Sequence, residues 1–456
     1  MRRMKLGLMV FAVALAGVDG SASGEAWKAG VARASITPTK STWMAGYGSR
    51  TKPSEGAIHD LWAKALAMQA PDGSKALLIS LDLCGIGRDL SVPIAEAIGS
   101  KHGMARDRIV LACSHTHSGP VVGTNLISMY KLDADQAARV AEYAVELAAT
   151  IRRIADEAFE HLAPADLGWQ TGTADFGVNR RENTEANVPA LRQALALKGP
   201  VDHDVPVLRV KAGGKVLAVV CGYACHCTVL SGQQFCGDYA GFAQVAIERA
   251  NPGITALFVA GCGADQNPLP RRTVELAESY GAQLAAAVAD VMVGPMHPVE
   301  GSPTTAYREV PIAFAKLPTR EELDRDAKAA DFYTASRARL LIGQLVKDGK
   351  LAPTYPYPIQ SWKLGGLTWI FLGGEVVVDY SNRLKRNLGS SSTWVSAYCN
   401  DVMAYIPSAR VLKEGGYEGA TSMIYYGLPS PWAEPVEDSI IDGIKSILAE
   451  GSASKP

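Results

Sequence analysis

Seven apolar runs of strand length recur along the chain: residues 75–83 (KALLISLDL), 108–114 (RIVLACS), 205–212 (VPVLRVKA), 215–224 (KVLAVVCGYA), 254–262 (ITALFVAGC), 366–375 (GLTWIFLGGE) and 392–399 (STWVSAYC). Short runs rich in Val, Ile, Leu and aromatic residues, stopped by Gly, Pro, Ser or charged residues, predict buried strands. Residues 133–162, 271–292 and 319–349 instead keep apolar residues three and four apart, which predicts helices. Only Gly213-Gly214 separates the runs at 205–212 and 215–224, so those two form a hairpin. Strands joined partly by helices and partly by tight turns predict an α/β protein with mixed sheets. No fixed-period repeat, heptad array or low-complexity linker interrupts the pattern.

Several of these runs end in polar residues that an apolar core does not need. The run at 108–114 leads into His115 and His117, the run at 215–224 into His226, and the run at 254–262 into Asp265, Gln266 and Asn267. The run at 366–375 ends on Glu375, and the last run leads to Tyr405. Ligand sites in α/β proteins form where strand ends and their loops meet. Two histidines one residue apart on an extended chain share a face, so both side chains can point into one cavity. Two or three imidazoles plus a carboxylate, with a position left open for water, make a zinc set. Each residue also has a structural reading. His226 suits a hydrogen-bonded interior histidine, Glu375 a cap for the helix that follows it, and Tyr405 an interior tyrosine with its hydroxyl satisfied. Pattern and spacing reach a candidate metal hydrolase and no further.

Composition narrows the setting. The 456 residues are 48% hydrophobic and 20% charged, the balance of a globular protein with a large core, and the net charge of -1 points to no charged partner. With no basic tract or zinc-knuckle spacing, a nucleic-acid partner is excluded. The N-terminus, MRRMKLGLMVFAVALAGVDGSASG, has a basic start, an apolar run and then small residues, the layout of a secretory signal peptide over residues 1–23. No later stretch reads as a membrane span, which predicts a secreted or periplasmic protein without a transmembrane segment once the signal is removed. Eight cysteines, four of them between Cys221 and Cys236, then imply one or two disulfides or a set of buried free thiols.

Familiar catalytic signatures are missing: there is no H-E-x-x-H, no G-x-S-x-G and no phosphate-binding loop. GCGADQNP begins like a dinucleotide loop, but Gln266 stands where a glycine is required. A different resemblance runs through most of the chain. CSHTHSGP resembles the H-T-H-S-G-P segment of the neutral ceramidases, and VARASITPTKSTWMAGYG, HDLWAKALAM, FGVNRR, LGGEVVVDYSNRLK and NDVMAYIPSARVLKEGGYEG resemble further segments of that family in the same order, from about Gly30 to Trp432. The resemblance implies a single large catalytic domain, residues 24–450, with mixed sheets layered between helices.

It also implies a zinc ion held by His115, His226, Glu375 and Tyr405. His117 then lies beside the metal and faces substrate, and Arg180 positions substrate or oxyanion. Tyr405 and His117 are candidate donors to that oxyanion, and His117 a candidate proton carrier to the leaving amine. Ceramidases carry a serine in the segment aligned with GCGADQNP, whereas this chain has Asp265, Gln266 and Asn267 there. A serine nucleophile at that place is therefore excluded. Asp265 is left to orient water, to support a ligand or to stabilise a turn. The resulting expectation is a zinc-dependent hydrolase that cleaves a C–N amide bond, in ceramide or another N-acyl compound, with a zinc-activated water. The alternatives are a zinc hydrolase acting on another polar molecule, such as a cell-wall or sugar derivative, and a non-catalytic relative that binds a ligand in the same cleft. The partner is a small-molecule or lipid substrate.

Overall fold

The computed structural model describes residues 27–453, so the signal-peptide reading lies outside the described residues. One large sheet contains β1 (Trp27–Ser35), β2 (Trp62–Gln69), β3 (Lys75–Leu81), β4 (Ile109–Cys113), β5 (Ala163–Thr173), β7 (Asp204–Ala212), β8 (Lys215–Tyr223) and β9 (Thr255–Ala260), in the order β4-β3-β2-β1-β5-β7-β8-β9. A short strand, β11 (His297–Pro298), adds to β5, and β6 (Gly177–Asn179) pairs with β10 (Gln266–Pro268) as a separate ribbon. The pairs β3–β4 and β8–β9 are parallel and the rest of the large sheet is antiparallel, which makes the sheet mixed as the sequence predicts. A second sheet orders β12 (Thr304–Ala313), β13 (Thr354–Leu364), β14 (Leu367–Leu372) and β16 (Thr393–Ser396). The last ribbon joins β15 (Glu375–Val376) to β17 (Tyr405–Ile406).

Strand alternation explains the layering. On β3, Leu77, Ile79 and Leu81 share one apolar core with Ile151 and Ile154 of α2 (Ala134–Glu160), while Leu78 belongs to a second core with Trp362, Trp369 and Trp394 of the second sheet. Both faces of the large sheet are therefore buried, and its inner strands read as continuous apolar runs rather than as alternating ones. Trp369 stacks on Trp394 with ring centroids 3.9 Å apart and donates from Nε1 to Ser396 Oγ at 2.9 Å, while the Trp362 indole donates to Asp107 O at 2.8 Å.

The order of helices is α1 (Arg88–His102), α2, α3 (Val188–Gln193), α4 (Asp238–Ala250), α5 (Val274–Val293), α6 (Arg320–Asp326), α7 (Phe332–Asp348), α8 (Val378–Leu388), α9 (Ala409–Glu414), α10 (Gly416–Gly419) and α11 (Val436–Ala453). Residues 319–349, expected as helical throughout, form two helices. Asp331 caps α7 by accepting from Thr334 N at 2.8 Å, and its extended backbone breaks the run after α6. The far face of the second sheet is covered by α11, whose Ile440, Ile444 and Ile447 join Val310 and Ile359 in one core.

A buried ion pair anchors α8, the helix that follows β15. Lys385 on α8 places Nζ 2.6 Å from Asp202 Oδ2 and 2.7 Å from Asp204 Oδ2, with the Lys385 and Asp202 side chains only 10% and 8% exposed. Removing one partner of a buried pair leaves an uncompensated charge. Lys385→Ala is therefore expected to cost about 3 kcal/mol of stability, read as a lower urea midpoint with an unchanged slope. An unchanged midpoint would show that the pair contributes nothing to holding α8.

Candidate metal centre and cavity

The parallel strands β4, β8 and β9 end close together, and the loops after them carry the polar residues picked out in the sequence. After β4 the chain lies beside the segment after β8, with a parallel bridge between Thr116 and Cys227 and His117 N donating to Cys227 O at 3.1 Å. This side-by-side path sets His115 against His226, with ring centroids 4.8 Å apart. The two neighbouring histidines do meet, but not through strand alternation as the spacing predicts. The strand stops at Cys113, and His115 adopts φ 61, a left-handed conformation rare outside glycine. That turn swings the rings together, with His117 Nε2 3.0 Å from His115 Nε2.

Glu375 and Tyr405 arrive as a pair, because the two-residue parallel ladder places them directly opposite each other. Gly374 makes the ladder possible: it has φ +71, and a Cβ there would lie 2.7 Å from Ala404 O. Glu375 Oε2 then sits 3.0 Å from His115 Nε2 and 3.1 Å from His226 Nε2. Tyr405 Oη is 3.3 Å from His226 Nε2, and all four residues are buried.

The outer nitrogens of the two rings decide what the inner ones do. His115 Nδ1 faces Cys84 O at 2.6 Å and His226 Nδ1 faces Gly263 O at 2.7 Å. A carbonyl oxygen only accepts, so both Nδ1 atoms carry hydrogen, and in the neutral rings both Nε2 atoms present lone pairs to the Glu375 carboxylate. Acceptors converging at this distance require a cation among them, either a proton or a metal ion. His115, His226 and Glu375 keep their ligand atoms within 4.8 Å of one another, and imidazole nitrogens with a carboxylate and a phenol suit a divalent transition metal. Without a metal the proton falls to one ring. Against burial, which lowers it, the Glu375 charge raises His115 to about 10, while burial and Arg180 lower His226 to about 4. The same histidines hold the Glu375 carboxyl well below its usual range despite the opposing effect of burial.

Above this centre lies a cavity of about 730 Å³, lined among others by His117, Arg180, Asn267 and Tyr405. Gly46 closes over His117 so tightly that a Cβ on it would lie 2.5 Å from the ring. Among the described residues the buried His117 Nδ1 has no hydrogen-bond partner, and burial together with the neighbouring histidines keeps the ring neutral. Arg180, just after β6, donates through Nε to Glu418 at 2.8 Å and through Nη2 to Tyr405 Oη at 3.1 Å. Asp265 does not line the cavity. Its Oδ1 accepts from Val378 N at 2.8 Å and its Oδ2 from Asn179 Nδ2 at 3.2 Å, which ties the Arg180 segment to the start of α8, and burial raises its carboxyl to about 6.

Two residues of the site, Tyr426 and Glu418, were not singled out in the sequence, and of the three polar residues after the run at 254–262 only one reaches the cavity. Tyr426 donates to Glu375 Oε1, Glu418 bridges Arg180 and Arg181, and Asn267 is the one of the three polar residues of GCGADQNP that faces the cavity. Glu418 does stand in a segment of the family resemblance, but Tyr426 sits in an irregular stretch with no periodicity to mark it. All eight cysteines are buried free thiols, so the second of the two expectations for them holds.

Comparison with known proteins agrees with this architecture. Residues 27–302 match the family model described as neutral/alkaline non-lysosomal ceramidase, N-terminal. Neutral ceramidase B of Dictyostelium discoideum is 24% identical over 238 residues, covering 48% of this chain and 32% of the relative. Neutral ceramidase 2 of Arabidopsis thaliana is 23% identical over 188 residues, covering 40% and 24%. These matches span a third or less of the relatives' own length. The crystal structure of neutral ceramidase from Pseudomonas aeruginosa superposes with a TM-score of 0.72 at 17% identity, covering 94% of this chain and 75% of that one. A ceramidase complexed with C2 gives 0.69 at 18% identity, covering 90% and 73%. With the family match extending over more than half of its residues, the chain belongs to the neutral/alkaline non-lysosomal ceramidase family.

Proposed function

We propose that the protein is a zinc-dependent hydrolase that cleaves a C–N amide bond. The observation that carries this reading is the convergence of His115 Nε2, His226 Nε2 and Glu375 Oε2 beneath a cavity into which His117 also opens. A protein that only binds a ligand has no need to press unshared lone pairs together in its interior. Tyr405 Oη completes the donor set, with Arg180 Nη2 steadying the oxygen. When bound, a zinc ion supplies a Lewis acid that polarises the amide carbonyl and brings the pKa of water down to about 7. The chain's own residues do the rest. His117, neutral and facing the centre through Nε2, takes the proton from the attacking water and returns it to the leaving nitrogen as the C–N bond breaks. Asp265 holds the Arg180 segment in place from below. Replacing it would shift the guanidinium without removing a group from the cavity.

The lining of the cavity favours a polar N-acyl substrate over ceramide. Arg180, Arg181, Glu182, Glu185, Glu414 and Glu418 face it beside Tyr47, Tyr405 and Tyr417, and among the described residues Leu269 is its one aliphatic side chain. A long hydrocarbon chain gains by leaving water only where the walls are apolar. Among the described residues no helix is long and apolar enough to cross a membrane, and the N-terminal segment supports export of the chain.

Purified protein is expected to hold about one zinc per chain. Chelation should lower amide hydrolysis by on the order of 10²-fold or more, with added zinc restoring it. Charged N-acyl compounds, such as N-acetylated amino acids, should be cleaved faster than detergent-dispersed ceramide. Turnover that ignores the chelator would defeat the zinc reading, and a preference for ceramide would defeat the polar-substrate reading alone.

A further inference from the structure

We propose that Asn267 donates its side-chain amide N–H to the carbonyl oxygen of the scissile amide, which rests on the amide-hydrolase reading above. The orientation of this side chain is fixed by the Arg180 guanidinium, which can only donate toward it. Arg180 Nη1 lies 3.3 Å from Asn267 Oδ1, and a guanidinium has no acceptor to offer. Thr228 Oγ1 donates to the same oxygen at 3.4 Å. With Oδ1 held by both, Nδ2 points the other way, and among the described residues no group accepts from it. Asn267 is only 4% exposed, yet it lines the cavity with His117 and Tyr405, so the free donor is presented to whatever fills that space.

Its backbone is equally constrained, because Asn267 stands opposite Val178 in the β6–β10 ribbon. Arg180 also holds Tyr405 Oη through Nη2, so one planar guanidinium sets both the amide donor and the phenol.

The chemistry needs a donor at this place. As the oxygen of water bonds to the carbonyl carbon, the C=O π pair moves onto the carbonyl oxygen. When that pair returns, the C–N bond breaks and the nitrogen leaves with a proton that began on the water. A preoriented N–H stabilises the oxygen while it carries charge and needs no reorganisation to do so.

The test uses the full chain loaded with zinc, and acetohydroxamate as a probe whose oxygens occupy the position of the scissile carbonyl. Asn267→Asp is nearly isosteric and keeps an acceptor for Arg180 and Thr228, but it exchanges the donor for a negative charge, so the neutral Asn267→Ala variant separates loss of the donor from added charge. Asn267→Ala is the second variant, so the result does not depend on one protein folding. By calorimetric titration, both variants are expected to bind acetohydroxamate about tenfold or more weakly than the parent, with zinc content and melting temperature unchanged. On any amide the parent turns over, kcat should fall with KM little altered. Affinities within about twofold of the parent in zinc-loaded variants would overturn the assignment and leave the hydrolase reading standing. A zinc-loaded parent that does not bind the probe would overturn it as well. A parent that takes up no zinc would instead overturn both, and the metal measurement separates that case from the others.

Discussion

Glu375→Ala is expected to empty the metal centre. Its carboxylate is the only anionic group among the candidate donors, and its Oε2 is shared between His115 and His226 at 3.0 and 3.1 Å. Without it two neutral imidazoles and a phenol face each other across a void, with no charge to hold a divalent ion. Zinc should drop from about one per chain to less than about a tenth by elemental analysis, and hydrolysis should fall by on the order of 10³-fold or more. Stability should suffer too. Tyr426 loses the Oε1 atom it donates to, and an orphaned buried hydroxyl costs about 1–3 kcal/mol, visible as a lower melting temperature. A variant that keeps its zinc would place the ion elsewhere in the molecule.

His117→Ala is expected to show the opposite division, with metal retained and turnover lost. His117 faces the cavity, has no partner at Nδ1 among the described residues and is kept neutral by burial and by the histidines beside it. Those are the conditions for a group that takes up and releases a proton, and removing such a group costs about 10²–10⁴-fold in rate. Rate and zinc content should be measured on the same preparation. Loss of zinc with the ring would mean that His117 is a ligand, drawing on the alternative grouping of Cys84, His115 and His117, whose ligand atoms also lie within 4.8 Å of one another.

The strands around the site could be read because they are buried on both faces. β3, β4, β8, β9 and β14 have to be apolar throughout, and continuous apolar runs survive without any knowledge of neighbours. β13 could not be read in this way. Its sequence, TYPYPIQSWKL, contains two prolines, which normally argue against an inner strand, yet it lies between β12 and β14. Pro356 and Pro358 pair opposite Pro311 and Glu309 near the start of the strand, where the ladder loses little from their missing N–H groups. β5 was equally hidden, because the mixture of small and polar residues in APADLGWQTGT shows neither period clearly.

At the site, the residue types and their positions at strand ends were legible, but the geometry was not. Nothing in the sequence shows that His115 turns left-handed, or that a two-residue ladder sets Glu375 opposite Tyr405 across a glycine. Asp265 and Asn267 illustrate the same limit from two sides. They are two residues apart in a polar cluster, yet one is bound up beneath the Arg180 segment and the other opens into the cavity.

The eight buried thiols bear on how this molecule ages. Burial raises the pKa of seven of them, Cys113, Cys221, Cys225, Cys227, Cys236, Cys262 and Cys399, so the reactive thiolate is scarce while the chain stays folded. The fold thus acts as a protecting group for its own sulfur. Were the chain to open under oxidising conditions, that protection would end for every cysteine together, and any two that met could join in a pairing the native packing has no room for. Opening would then become a one-way step, and the working lifetime of the protein would be set by how often it opens rather than by the equilibrium between its open and closed forms.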